Sequence, residues 1–149
     1  SRGPDNPSGP DGAARERPRG SRFLGRCAME GILADRGWLS IMAIGTLNRA
    51  DYEWAQHEKE FLAAGGTQEQ LTALRDVPAV MEDAKRFDEA ERATLALTVE
   101  MTRNVKVSDA TMKRIRALLP DQQVVELVGT IAGYNMVSRF LVATGIELE

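Results

Sequence analysis

The chain has 149 residues, of which 43% are hydrophobic and 28% are charged, and its net charge is −3. These values fit one globular domain. They argue against nucleic acid or a membrane as a partner, because there is no strong positive field and no apolar run of the roughly 18 residues that span a bilayer. The single cysteine, Cys27, excludes an internal disulfide and a cysteine zinc site, and it indicates a reducing, cytoplasmic compartment.

Residues 1–20 are rich in proline and glycine and are predicted to form a tail or an extended arm. Such a stretch buries too little apolar surface to offset the entropy lost on ordering. Residues 1–40 contain seven arginines and five acidic residues, whereas the rest of the chain is acidic. The segment is therefore either a solvated tail or a basic arm that docks on a second copy of the chain.

Residues 21–149 are predicted to form a single compact all-α domain, because apolar residues recur almost throughout at spacings of three and four. A short turn or helix opens at Pro78, and only Val105–Val107 and the last four residues resemble strands. The helices expected in chain order are 23–33, 38–47, 51–64, one from Thr67, 88–103, 108–119 and 124–143.

Capping signals set most of these boundaries. Asp51 is expected to cap its helix, Thr67 and Asp88 each begin a capping box, and Ser108 caps the next helix. Gly145 closes the last helix.

The last helix, 124–143, is apolar nearly all round. A helix of this kind is buried on several sides, either at the centre of a domain or in an interface between chains. The second alternative predicts a homo-oligomer.

The residues best suited to catalysis lie within the segment 51–57. Glu53 and His57, the only histidine, are four residues apart and therefore neighbours on one helix face. That face also carries Ala50 and Phe61, so the pair is expected on the apolar side of the helix. A Glu–His pair of this kind can exchange protons near neutral pH. Because Glu53 lies in the first helical turn, the helix dipole favours its anion, with His57 as the proton carrier.

Structural interpretations of the same residues stay open. A lone histidine on an apolar face is often a core residue with one hydrogen bond, and Tyr52 and Trp54 are often packing residues rather than substrate contacts. Two ligands at Glu-x-x-x-His spacing fall short of a zinc set, so no metal is predicted. The sequence offers no cofactor-binding motif, and no cofactor is expected.

The string Tyr52-Glu53-Trp54-x-x-His57, followed by residues 61–67 and a capped helix, resembles the carboxymuconolactone decarboxylase and alkylhydroperoxidase D family. It is most similar to the branch that carries Tyr-Glu-Trp-x-x-His in place of redox cysteines. Three later stretches, 94–102, 107–111 and 125–136, also resemble that branch, so the resemblance covers about residues 45–149.

The resemblance implies a small all-α fold whose members form trimers, hexamers or larger rings, with sites near subunit contacts. It implies two chemistries. One is decarboxylation of a lactone acid. The other is peroxide reduction, the peroxiredoxin activity of the family, by a cysteine pair with a nearby histidine and glutamate.

Most of the residues that the family uses for peroxide reduction are not found at the matching positions of this chain. Counted back from His57, the two family cysteines fall on Ala50 and Glu53, and the upstream family glutamate falls on Trp38. Without a thiolate there is no nucleophile for a peroxide. Cys27 is remote in sequence from these positions. We interpret it as a buried apolar residue rather than as a redox residue.

Two functions remain open. The favoured one is a small-molecule enzyme of the lyase or decarboxylase type, acting on a carboxylated or lactone-like substrate. His57 and Glu53 are its expected catalytic residues, and Tyr52, Trp54 and Tyr134 its expected substrate-binding residues. The alternative is a non-catalytic oligomeric scaffold or small-molecule-binding protein, which the loss of both cysteines and of the upstream glutamate would suit.

Overall fold

A computed structural model describes residues 34–146 of the chain. The predicted tail 1–20, the predicted helix 23–33 and Cys27 lie outside the described residues. Between residues 34 and 146 there are seven helices and no strand, which confirms the all-α class. In chain order they are α1 (Ala34–Leu47), α2 (Asp51–Ala63), α3 (Gln68–Ala73), α4 (Val77–Val80), α5 (Glu89–Asn104), α6 (Asp109–Leu118) and α7 (Asp121–Thr144).

Helix α1 occupies the centre of the described fold. Its residues from Trp38 to Ile44 are at most 8% exposed, and the helix contacts α2, α5 and α7. A helix that is apolar on every side needs neighbours on every side to remove its surface from water. The prediction of a buried helix over 38–47 is confirmed.

Most helices begin where the capping signals predict. Thr67 and Asp88 form complete capping boxes, and the Ser108 side chain accepts a hydrogen bond from the backbone N–H three residues on. Helix α2 is the exception, because Ala50 occupies its N-cap without a side-chain hydrogen bond and Asp51 is its first residue. The expectation that Asp51 caps α2 is therefore wrong by one position.

The segment Val105–Val107, which resembles a strand in sequence, forms no strand and begins with a turn. Val105 has φ 63° and ψ −48°, and the Lys106 N–H donates to the Asn104 carbonyl oxygen at 2.7 Å. This is the geometry of a γ-turn, which reverses the chain between α5 and α6 within three residues. Residues 34–146 contain no strand with which this short link could pair to form a sheet.

Helix α7 is covered on one side only. Val124, Leu127 and Ile131 are buried in the core, whereas Val125, Met136 and Phe140 on the other side are 60–65% exposed. The described residues therefore do not place α7 at the domain centre, and that alternative is wrong. Its burial in an interface between chains stays a prediction. No helix among residues 34–146, α7 included, is long and apolar enough to cross a bilayer.

Candidate functional site

The face of α2 that carries Glu53 turns inward. Ala50, Glu53, Trp54 and Phe61 are each at most 3% exposed, and His57 is half-buried. This distribution confirms the apolar face expected from the spacing of these residues. It follows that the Glu53 carboxyl lies in the protein interior and that His57 lies nearer the surface on the same face.

Glu53 is a buried carboxyl without a partner. It is 2% exposed, and neither of its oxygens has a hydrogen-bond partner among residues 34–146. Burial penalises the ionised form and raises the pKa of Glu53 from 4.5 to about 8. Glu53 therefore holds a proton at neutral pH. The expectation that the helix dipole keeps this carboxyl ionised is wrong, because desolvation outweighs the dipole.

His57 lies between two aromatic rings from other helices. The Trp38 indole of α1 has its centroid 5.4 Å from the imidazole, at an interplanar angle of 45°. The Tyr134 ring of α7 is also 5.4 Å away and meets the imidazole edge-on at 79°. The site is therefore the point where α1, α2 and α7 meet, and the structure brings Tyr134 against His57, while its role in substrate binding stays a prediction.

Burial also shifts the pKa values of the other titratable groups at this site. It lowers the pKa of His57, and the Glu60 carboxylate opposes that shift. Burial raises the pKa of Tyr134, with further contributions from Glu53 and Glu60. At neutral pH the site thus presents a protonated carboxyl, a neutral imidazole and a neutral phenol, which together can donate and accept a proton without a net charge.

Two residues of this site were missing from the predicted set. In the sequence, Trp38 stands at the position of a family glutamate and has no predicted role at the site, and Glu60 has none either. The spacing could have identified Glu60, because it follows Glu53 by seven residues and His57 by three on one helix face. No local signal identifies Trp38, since its contact with His57 depends on how α1 packs against α2.

Tyr52 and Trp54 lie apart from this group. Tyr52 lines a cavity of about 420 Å³ between the start of α2 and the end of α7. Trp54 is 3% exposed in the core, and the Arg75 guanidinium lies 3.7 Å from the centroid of its ring. The structure therefore gives Trp54 a packing environment, and it places Tyr52 beside a second concavity.

At least three cavities open on the described part of the chain. Besides the one at Tyr52, one of about 420 Å³ lies between α3 and Arg86, and one of about 460 Å³ lies beside the α5–α6 turn. None of the three is lined by Glu53 or His57. Residues 34–146 also contain no group of three or more histidine, cysteine, aspartate or glutamate side chains that could hold a metal ion.

Residues 38–100 match the model of the Carboxymuconolactone decarboxylase family, which confirms the family resemblance over that range. The matched range begins at Trp38 and includes Glu53, His57 and Glu60, whereas Tyr134 lies beyond it. The similarity of stretches 107–111 and 125–136 to one branch of the family stays a prediction. No curated protein matches the chain.

Proposed function

We propose, from the carboxymuconolactone decarboxylase family whose model residues 38–100 match, that this protein is a lyase that transfers a proton to a small carboxylated or lactone-like substrate. The observation that carries the proposal is the partnerless, buried carboxyl of Glu53 beside His57. A buried carboxyl without hydrogen bonds costs stability, and such groups concentrate where a protein uses them chemically.

The proposed step is a decarboxylation followed by protonation. The bond from the substrate carbon to its carboxylate breaks, CO2 leaves, and the electron pair remains as an enolate on the lactone carbonyl. One imidazole nitrogen of His57 gives its proton to that carbon while the other accepts the proton of Glu53. Glu53 ends as a carboxylate and is reprotonated from water through His57, the half-buried residue one helical turn further along α2.

The roles follow from burial. Glu53 is the proton reservoir because burial raises its pKa to about 8, close to neutral pH, and His57 is the carrier because it is only half-buried. Tyr134 contacts His57 and its hydroxyl is a candidate hydrogen-bond donor to substrate. Tyr52 keeps a possible role only in the separate cavity that it lines, and Trp54 has none in this proposal.

Replacing His57 by glutamine is expected to lower kcat for carboxymuconolactone about 100-fold or more, because proton transfer by a positioned side chain contributes on that order. CO2 release and lactone consumption measure the rate. The matched control is Gln56→Ala, one residue away and exposed on α2, which should stay within about twofold of wild type. Equal rates in wild type and His57→Gln, with the fold intact, would contradict the proposal.

A non-catalytic oligomeric scaffold or small-molecule-binding protein is the second candidate. It is favoured by one observation, that the three cavities are lined by residues other than Glu53 and His57. Binding of carboxymuconolactone that raises Tm equally in wild type and His57→Gln, with no turnover in either, would support this candidate over the lyase.

Peroxide reduction by a cysteine pair is disfavoured. The two family cysteine positions hold Ala50 and Glu53, and the sequence contains only one cysteine, so no resolving thiol exists within a chain. A cytoplasmic location, which suits a lone cysteine, remains part of the proposal.

We also propose that the protein is a homo-oligomer, a trimer or hexamer, that covers the α7 stripe. The α7 stripe consists of Val125, Ala132, Met136 and Phe140, which share one helix face and are exposed. Contiguous exposed apolar surface of this kind marks an interaction site. A second copy of the chain is the occupant we favour because exposed apolar residues recur along this face at spacings of seven and four, with Arg139 as the charged residue beside them.

Replacing Phe140 by aspartate is therefore expected to dissociate the assembly, since it places a charge within an apolar contact in place of its only aromatic side chain. Light scattering coupled to gel filtration measures the mass. The control is Ala117→Asp, which adds the same charge at an exposed position of α6 and should leave the mass unchanged. A monomeric wild-type protein, or an unchanged mass for Phe140→Asp, would contradict the proposed interface.

A further inference from the structure

No hydrogen bond from the described residues fixes the orientation of the His57 imidazole. Among residues 34–146, no side chain or backbone group hydrogen-bonds either imidazole nitrogen, although histidines that carry protons are commonly oriented by such a bond. The contacts that the structure does give His57 are the rings of Trp38 and Tyr134, each 5.4 Å from its centroid. Both nitrogens are thereby left available, which a proton carrier between two partners requires.

Trp38 is the more rigid of the two rings. It is 8% exposed and belongs to the core cluster around α1, together with Leu39, Met42 and Phe61. A side chain that is packed on several sides has a fixed position. It therefore also restricts the position of any group that packs against it. Tyr134 is half-buried and meets the imidazole edge-on from the opposite helix.

We infer that Trp38 is a positioning residue that holds the His57 imidazole against Tyr134 in a single orientation. The inference concerns the placement of the ring, and its consequence for turnover rests on the proposed function. Without the indole, the imidazole can swing away from α7 and into solvent. The charged group that acts on His57 is the Glu60 carboxylate, while Glu53 lies one turn before it on the same helix and Tyr134 contacts its ring.

The single histidine makes the test direct, because imidazole NMR signals of the full chain belong to His57 alone. In wild type, we expect a nuclear Overhauser effect between the ring protons of His57 and Tyr134. Trp38→Leu and Trp38→Met remove the ring but keep apolar bulk. In both, that effect should fall by at least about half, and the pKa of His57 should rise towards its ordinary value of 6.5 as the ring meets water. Trp38→Phe keeps a ring and should retain most of the wild-type signal.

Trp54→Leu is the matched control. Trp54 is the other tryptophan, is 3% exposed in the same core cluster, and makes no ring contact with His57. Its loss should lower Tm while leaving both the His57–Tyr134 effect and the His57 titration unchanged. If the Trp38→Leu and Trp38→Met spectra keep the wild-type effect and titration, or if Trp54→Leu changes them equally, the inference is overturned.

The kinetic readout separates this inference from the proposed function. With carboxymuconolactone, Trp38→Leu should lower kcat about tenfold with KM within about twofold, and Trp38→Phe should restore most of kcat, because a misplaced carrier weakens the reaction more than binding. NMR changes in a protein whose wild type shows no turnover would support the positioning role and reject the lyase. Normal turnover with unchanged NMR signals would support the lyase and reject the positioning role.

Discussion

Replacing Glu53 by glutamine is expected to stabilise the protein at pH 7 by on the order of 3 kcal/mol. Burial raises the pKa of Glu53 in the folded protein to about 8, whereas the unfolded chain has the ordinary value of 4.5. Between these values the folded state holds a proton that the unfolded state has released. The free energy of unfolding therefore falls by about 1.4 kcal/mol per pH unit as the pH rises. Glutamine has the same shape and no proton to release.

Urea unfolding of wild type and Glu53→Gln at half-unit steps from pH 4 to 9 measures this difference. The two proteins should differ least below pH 4.5, diverge steadily up to about pH 8, and keep a constant difference above it. Contributions from other groups, His57 included, cancel in the comparison. Parallel curves across the whole range would mean that Glu53 is not a buried, protonated carboxyl.

The same variant should lose turnover while it gains stability. Glutamine keeps the packing of Glu53 but supplies no transferable proton, so CO2 release from carboxymuconolactone should fall about 100-fold or more. A loss of turnover that accompanies an equal loss of Tm would instead indicate a structural role for the pair.

Replacing Asn135 by alanine is expected to destabilise the protein by about 3 kcal/mol, because it breaks a buried network that joins α5 and α7 to the turn after α1. The Asn135 amide nitrogen donates to the Thr102 hydroxyl at 2.9 Å and to the Ile131 carbonyl oxygen at 3.0 Å. Its amide oxygen accepts from Asn48 at 3.0 Å and from Arg139 at 2.7 Å. Alanine removes these four hydrogen bonds and also leaves a cavity.

Chemical denaturation at a fixed pH measures the loss, and Gln122→Ala provides the control. Gln122 is an exposed residue of the same helix, and its side chain donates only to Glu126, at 3.0 Å. Its replacement should cost no more than about 0.5 kcal/mol. If Asn135→Ala costs as little as the control, the network does not hold α7 to the rest of the fold.

The boundaries of the helices could be predicted from sequence because their signals are local. The Thr67 and Asp88 capping boxes involve residues only three positions apart, and Gly145 adopts φ 68° at the end of α7 as a helix-ending glycine does. Asp51 was misplaced by one position because an aspartate is favourable both as an N-cap and in the first turn, and the sequence does not separate the two.

Only some of the residues that form the site could be predicted from the sequence. The spacing of Glu53 and His57 places them on one face of α2, whatever the rest of the chain does. Their protonation could not be predicted, since it depends on how deeply α1 and α7 bury that face. For the same reason the contact with Trp38, which lies on another helix, and the separation of Tyr52 from His57 appeared only in three dimensions.

The central claim is that Glu53 holds a proton at neutral pH beside a neutral imidazole. A pH titration of the Glu53 side-chain carboxyl by carbon NMR, with the signal assigned by its absence in Glu53→Gln, tests it most directly. We predict a midpoint near pH 8. A midpoint at or below 4.5 would show that the carboxylate is ionised in the folded protein, and the proposed proton transfer from Glu53 through His57 would then have no source.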